Sequence, residues 1–262
     1  MTGKPIVGIY TPAHNVAKYV KDAIKSVVAQ HFRNWNLVVL DDGSDDGTFE
    51  AAKQAADGRC LVVRNDKSCG LRGKLKNDTL ALLPETEFVC HVGADDTIPF
   101  DCLGAYVDFM RAHPWLAAAC GTFDCFDDAG NVWMMPHVEG RTGFDRCTLL
   151  KYMNFFPMRF YRRHAVAAVG GYSNELSSAV DYDLALRLDE TFQLGRLDGK
   201  ITYHYRQHPR QVSTAARREQ DLNAKRALQA ALDRRGLGQE IANDAPPFRL
   251  RECEGHFIWG RK

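Results

Sequence analysis

Four short apolar runs constrain this chain more than any other feature: IVGIY (6–10), LVVL (37–40), CLVV (60–63) and FVCHV (88–92). Each is apolar at consecutive positions, which predicts strands buried on both faces, as in a parallel sheet covered by helices. The segments between them read as helices. In the first, Val16, Tyr19, Val20, Ala23, Ile24, Val27 and Val28 share one face at 3.6-residue spacing, with Asn15 as the candidate cap. Residues 48–56 and 71–83 predict the second and third helices. Alternating strands and helices imply a doubly wound α/β domain, which binds ligands beyond the carboxyl ends of its strands. Three such ends carry polar pairs: Thr11-Pro12, Asp41-Asp42 and Asp95-Asp96.

Past residue 100 the pattern changes. A helix over 101–113 leads into WLAAACGTFDCF, DDAGN and VWMM, a strand–turn–strand pattern. FDRCTLLKYM and RRHAVAAV read as helical, and Gly170-Gly171 breaks the second. DYDLALRL opens another helix, KITYHYR is a strand, and from Arg217 a polar helix runs into a Pro-containing tail. The expected units are 1–100, 101–216 and 217–262, the last a C-terminal helix and tail. Lys+Arg 34 against Asp+Glu 33 gives no reason to expect nucleic acid as a partner. The eight cysteines form no CxxC pair and suit small buried hydrophobes in a reducing compartment. MTGKPIVGIY is too short in apolar length for a signal peptide, and no run approaches a membrane span, so a cytoplasmic protein is expected.

The acidic clusters allow two readings each. In LDDGSDDGT, Asp41 or Asp42 offers an acceptor to a base N–H or a ribose hydroxyl, whereas Asp45 or Asp46 suits a cap on the following helix. In VGADDT, adjacent carboxylates either form a solvated turn or hold a divalent cation that bridges a diphosphate. His91, inside an apolar strand, reads as a core histidine that alternation points away from the crevice. His204 and His208 are four apart but on strand and loop, which argues against a helical zinc face.

YTPAHN, LDDGSDDGT, GADD, GGY, DYDLALRL and YRQHPRQVS occur in an order that resembles the inverting family 2 glycosyltransferases of GT-A fold, over roughly residues 5–213. The resemblance implies a GT-A (Rossmann-like) mostly parallel sheet flanked by helices, with an acceptor subdomain and a helical C-terminal tail. It also implies a nucleotide-sugar donor, with a UDP-sugar expected, a divalent metal (Mn²⁺ or Mg²⁺), and a glycan or glycolipid acceptor in bacterial surface polysaccharide or lipopolysaccharide synthesis. Carried over by position, Thr11, Pro12, Asn15, Asp41, Asp42, Lys76 and Asp95 would bind nucleotide. Asp95 and Asp96 would bind the metal, with His208 as an added ligand. Arg206, His208 and Ser213 would close over the diphosphate, and Asp181 would be the catalytic base, with Asp183 in reserve.

Three departures stand out: Gly93 where the family often has an acid, Val180 where it usually has Glu, and Lys76-Asn77 for Arg-Asn. They leave open a second class, a nucleotide-sugar-binding or scaffold protein of the same fold with impaired catalysis. A nucleotidyltransferase would need a Gly-rich basic loop that is absent after the first strand. The competing role for Asp181 is a helix cap. The terminal GHFIWGRK mixes aromatic and basic residues, so a docked tail competes there with peripheral contact at the inner membrane face or with a second copy.

Overall fold

Strand β1 (Val7–Ala13) is the hub of the computed structural model, which describes residues 5–134, 144, 149–150, 153–211, 216–236, 249–253 and 256–260. It pairs in parallel with β2 (Trp35–Asp41) on one side and β4 (Phe88–His91) on the other, and β3 (Cys60–Arg64) adds in parallel beyond β2. The connecting helices are α1 (Val20–Val28), α2 (Thr48–Ala55) and α3 (Arg72–Ala81). A further helix, α4 (Cys102–Ala112), leads into the long β5 (Leu116–Asp127), the short β6 (Val132–Trp133) and then β7 (Phe160–Arg162). β7 lies antiparallel between β4 and β5. After α5 (Arg163–Ala168) and α6 (Val180–Thr191), β8 (Gln193–Gln207) pairs in parallel with β5. One eight-stranded sheet therefore crosses the expected boundary near residue 100.

The strand residues divide by parity. Val7, Ile9, Leu37 and Val39 pack with α1, α2 and α4 on one face of the sheet, whereas Tyr10, Val38 and Val89 face the layer built on α6 and α7 (Arg217–Arg234). This period of two is why the runs look apolar throughout: both faces are covered. The tail carries a hairpin, β9 (Arg249–Cys253) against β10 (His256–Gly260), that the helical reading of the C-terminal region did not anticipate. The helix expected over FDRCTLLKYM lies largely outside the described residues, as does Ser213. Among the described residues, no helix is long and apolar enough to cross a membrane.

β1 runs past Thr11-Pro12 to Ala13, further than the sequence suggested. Pro12 is tolerated because pairing with β4 stops at Tyr10 and His91, so its missing N–H falls where the ladder has already ended. β2 and β4 lie on opposite sides of β1, so the strand order reverses there and the switch-point crevice is expected between the carboxyl ends of β1 and β4.

Gly73 fixes how closely α3 approaches the segment before α6. A Cβ there would lie 1.7 Å from the Ser173 carbonyl oxygen and 3.4 Å from Val180 Cγ1. Helix propensity alone would make Gly73→Ala stabilising by about 1 kcal/mol. The backbone clash outweighs it, so we expect a net destabilisation of about 1–3 kcal/mol. Denaturant titration would show it as a lowered midpoint at unchanged slope.

Candidate active site

The carboxyl ends of β1 and β2 meet in a hydrogen-bonded cluster. Asp41 is fully buried, accepts from the Ser44 hydroxyl and lies 3.4 Å from Arg64 Nε. Asp42 is 3% exposed, and both of its oxygens are held by the following loop: Asn65 Nδ2 at 2.8 Å, Ser68 Oγ at 2.6 Å, and the Cys69 N–H at 3.0 and 3.1 Å. Burial pushes its carboxyl up, but these donors outweigh that and hold it below the usual range. Asp41 is thus tied into the scaffold, while Asp42 stands at the edge of the crevice with its acceptors shared by the 65–69 loop.

Of the two capping candidates, Asp46 accepts the Thr48 N–H at the start of α2 and also the Ala17 N–H, whereas Asp45 is exposed. Asn15 does not cap α1, whose first flanking residue is Tyr19. Instead, at φ 52°, Asn15 donates its N–H to Ser44 Oγ and accepts the Asp45 N–H through Oδ1. It joins the two loops that border the crevice. Thr11 is buried and Pro12 half-buried beside it, and His14 Nδ1 lies 2.9 Å from the Asp42 carbonyl.

The turn after β4 separates its two acids. Asp95 is half-buried and lies 3.0 Å from His208 Nε2 through Oδ2. Two ligands in adjacent positions about a Mg²⁺-sized ion at roughly 2.1 Å are about 3 Å apart, so this pair fits one divalent cation. His208 Nδ1 is buried without a hydrogen-bond partner, and the ring packs on Tyr19 at 4.6 Å between centroids. Among the described residues, no cluster of three His, Cys, Asp or Glu side chains forms.

Asp96 does something different from what the motif suggested. It is 4% exposed and accepts from Tyr203 Oη at 2.6 Å and from the Arg206 N–H at 2.9 Å. Burial, and then the adjoining Asp95 charge, push its carboxyl well up. It anchors β8 to the acidic turn, with one protein donor on each of its oxygens. Arg206 likewise supports the turn from below: Nε donates to the Asp95 carbonyl, and its other nitrogens reach Asp128 and Asp22 at 3.2 and 3.0 Å. These acceptors occupy the guanidinium that was expected at the diphosphate.

Gly93 belongs to the same construction. Its N–H donates to Tyr203 Oη at 2.9 Å, and a Cβ would sit 2.4 Å from Asp96 Oδ2. A side chain at 93 therefore collides with the acid that anchors β8. Tyr203→Phe removes one hydroxyl that serves both Asp96 and Gly93, leaving two buried groups unpaired. We expect a loss of about 1–3 kcal/mol in stability, read by thermal or chemical unfolding, with the fold retained.

Asp181 lies in the first turn of α6, and Ala179, at φ 56°, is the residue before the helix. Asp181 stands inside the helix, not at the capping position, and its side-chain hydrogen bond comes from Lys76 and not from a first-turn N–H. Lys76 Nζ donates to Oδ1 at 2.6 Å, and Arg159 NH1 lies 3.4 Å from Oδ2. Burial raises the carboxyl, but Lys76 and then Arg159 outweigh it and hold Asp181 well below the usual carboxylate range. With its folded pKa below the unfolded value of about 3.9, this pairing stabilises the fold fully at neutral pH and is lost only as pH falls through the acid range. Lys76, expected at the nucleotide phosphates, is buried here instead. Asn77 exchanges hydrogen bonds with the Tyr172 backbone through Oδ1 and Nδ2, both at 2.9 Å, so the Lys-Asn pair fastens α3 to the segment that carries Asp181.

Asp183 is not a second base. It is buried and pairs with Arg187, which also holds the Val169 and Gly171 carbonyls. His91 packs against Tyr10 at 5.6 Å, away from the acidic turn but within the field of Asp181; burial, then Lys76, pushes it well below its ordinary range, so it is neutral. Arg159 belongs to none of the sequence motifs and was missed. Arg162 and Arg163 hold backbone carbonyls of Leu116, Met110 and Pro84.

The family model for Glycosyl transferase family 2 matches residues 9–170. Over 97% of its length the chain is 26% identical to a chondroitin synthase of Escherichia coli, covering 36% of that protein. It is also 26% identical to the O-antigen biosynthesis protein RfbC of Myxococcus xanthus, across 96% of this chain and 20% of that one. The chain thus spans about a third or less of these relatives. Among solved structures, S. aureus TarS 1–349 in complex with UDP superposes with a TM-score of 0.68 at 21% identity, covering 87% of this chain and 65% of that one. The mannosyltransferase PcManGT from Pyrobaculum calidifontis, in complex with GDP-Man and Mn²⁺, gives 0.62 at 15%, covering 91% and 77%. The fold is that of the GT-A enzymes.

Proposed function

Since the chain belongs to glycosyl transferase family 2, we propose that its cleft transfers a sugar with inversion from a UDP-sugar to a hydroxyl of a glycan or glycolipid acceptor. The observation that carries this reading is the Asp95–His208 pair. Residues more than a hundred positions apart put a carboxylate and an imidazole 3.0 Å from each other beside the switch-point crevice. Asp95 and His208 would hold a divalent cation, which supplies Lewis-acid stabilisation of the departing diphosphate. The mixed oxygen and nitrogen donors suit Mn²⁺ at least as well as Mg²⁺.

Asp181 accepts the proton of the attacking acceptor hydroxyl. Lys76 and Arg159 keep it ionised at every working pH and fix its orientation, at the cost of basicity. A carboxylate of depressed pKa takes the proton late, when bonding to the anomeric carbon has already acidified the hydroxyl. Asp42, with Thr11, Pro12 and Asn15 around it, borders the base and ribose, and its acceptors pass from the 65–69 loop to the nucleotide. The names of the chondroitin synthase and O-antigen relatives support a surface-polysaccharide acceptor.

Thermal unfolding against UDP-, GDP- and CDP-sugars, with and without Mn²⁺, tests the donor. A ligand at a hundred times its Kd adds about 2.7 kcal/mol. Stabilisation by UDP-sugars that requires the metal is the expected result. A shift with GDP-sugars alone would reassign the base, and no shift with any donor would overturn the reading.

A further inference from the structure

A metal-ligating imidazole almost always donates its other ring N–H to a carboxylate, a carbonyl or water, and that bond fixes the ring. His208 has no such partner among the described residues: Nδ1 is buried and unbonded, while Nε2 faces Asp95 Oδ2 at 3.0 Å. Gln211 Oε1 accepts its backbone N–H at 3.1 Å, which fixes the main chain but not the ring. The group that bears on the ring is Tyr19, 4.6 Å away between centroids and tilted by 38°. Tyr19 flanks the start of α1, and its hydroxyl donates to Asp128 Oδ2 at 3.2 Å.

The same carboxylate reaches the other member of the pair. Arg206 donates from Nε to the Asp95 carbonyl at 2.8 Å and from NH1 to Asp128 Oδ1 at 3.2 Å. Its guanidinium lies 4.9 Å from the centre of the Tyr19 ring, so the two groups that Asp128 holds also pack on each other. Lys18 adds a third donor, on Oδ2. Asp128 is itself presented by a rigid turn between β5 and β6. Asp127 Oδ1 accepts the N–H groups of Ala129 and Asn131, both at 3.0 Å, and Oδ2 accepts Asn131 Nδ2 at 2.8 Å. Asp128 is 38% exposed and Lys18 67%, and exposed ion pairs contribute about 1 kcal/mol or less. Removing this carboxylate should therefore leave the chain folded.

We infer that Asp128 is a positioning residue for the metal pair: it pins Tyr19 and Arg206, and through them holds His208 and Asp95 at the separation that suits one divalent cation. The inference rests on the reading of Asp95 and His208 as metal ligands. It adds a residue, on a turn distant in sequence from both, that touches neither metal nor substrate.

Calorimetric titration of the full chain with Mn²⁺ in saturating UDP tests it, with melting curves on the same samples. Asp128→Ala is expected to raise the Kd for Mn²⁺ about ten-fold or more, the range for residues that orient metal ligands, with little change in melting temperature. Asp128→Asn keeps an acceptor oxygen and should recover part of the loss. Tyr19→Phe keeps the ring on His208 but loses the hydroxyl that meets Asp128. It should weaken Mn²⁺ binding several-fold, and combining it with Asp128→Ala should add little further. Should Asp128→Ala not fold, Tyr19→Phe carries the test alone. Salt separates position from charge, because the screening length falls from about 10 Å in 0.1 M salt to about 3 Å in 1 M. The ratio of variant to wild-type Kd should persist in 1 M salt. Folded variants that bind Mn²⁺ as the wild type does, or a deficit that vanishes in 1 M salt, overturn the inference while the metal site stands. A wild type that takes up no Mn²⁺ with UDP overturns the metal reading and the inference with it.

Discussion

Asp181→Asn is expected to abolish sugar transfer almost completely while leaving nucleotide-sugar and metal binding largely intact. A positioned carboxylate that accepts the acceptor proton contributes about 10²–10⁴-fold, and with Asp183 committed to Arg187 no neighbouring acid can replace it. Asparagine keeps the shape and can still accept a hydrogen bond from Lys76, which sits 2.6 Å from the carboxylate. Its cost is the lost charge between Lys76 and Arg159, so some stability falls as well. The kinetic loss must therefore be measured on folded protein, with donor affinity by calorimetry on the same sample. A variant that transfers at close to the original rate would reduce Asp181 to a counter-ion for the two cations.

The second large effect separates the two acids of the turn. Asp95→Asn and His208→Ala should each raise the Mn²⁺ concentration needed for half-saturation in the presence of UDP by at least about ten-fold, the scale seen even for groups that only support ligands. Transfer should fall in parallel and be restored in part by excess metal. Asp96→Asn should behave otherwise. Asp96 is bonded to Tyr203 Oη and the Arg206 N–H, so its loss weakens the joint between β8 and the acidic turn. We expect lower thermal stability with the metal dependence of the surviving activity little changed. Metal titrations followed by calorimetry, beside melting curves, check both. Full activity of the wild type in excess EDTA would exclude the metal from the mechanism.

The contrast between those neighbours shows what the sequence could carry. The strands of the first hundred residues were legible because burial on both faces leaves a continuous apolar run, and the acidic pairs were legible because they end those runs. Which acid faces the cleft was not. Asp96 turns inward because Tyr203 and Arg206, more than a hundred residues away, donate to it, and Gly93 is the small residue that this approach requires. Lys76 looked like a phosphate ligand from its place in a motif, but its partner Asp181 is 105 positions along. Arg159 had no motif at all, and only the antiparallel insertion of β7 beside β4 brings its segment to Asp181. Asn15 looked like a helix cap because its residue type is a good one, and the structure uses the same acceptor to bind a loop instead. Pairings within a few residues could be read from the chain, while pairings across the sheet required the fold.

Inverting transfer from a nucleotide-sugar in this cleft is read off the configuration of the product. Proton NMR would follow wild-type protein with an α-linked UDP-sugar, Mn²⁺ kept below line-broadening levels or replaced by Mg²⁺, and an acceptor glycan. Inversion gives a β-linked product signal that grows as the donor anomeric signal decays, and Asp181→Asn gives none. An α-linked product would contradict it, because retention cannot arise from a single displacement assisted by one base.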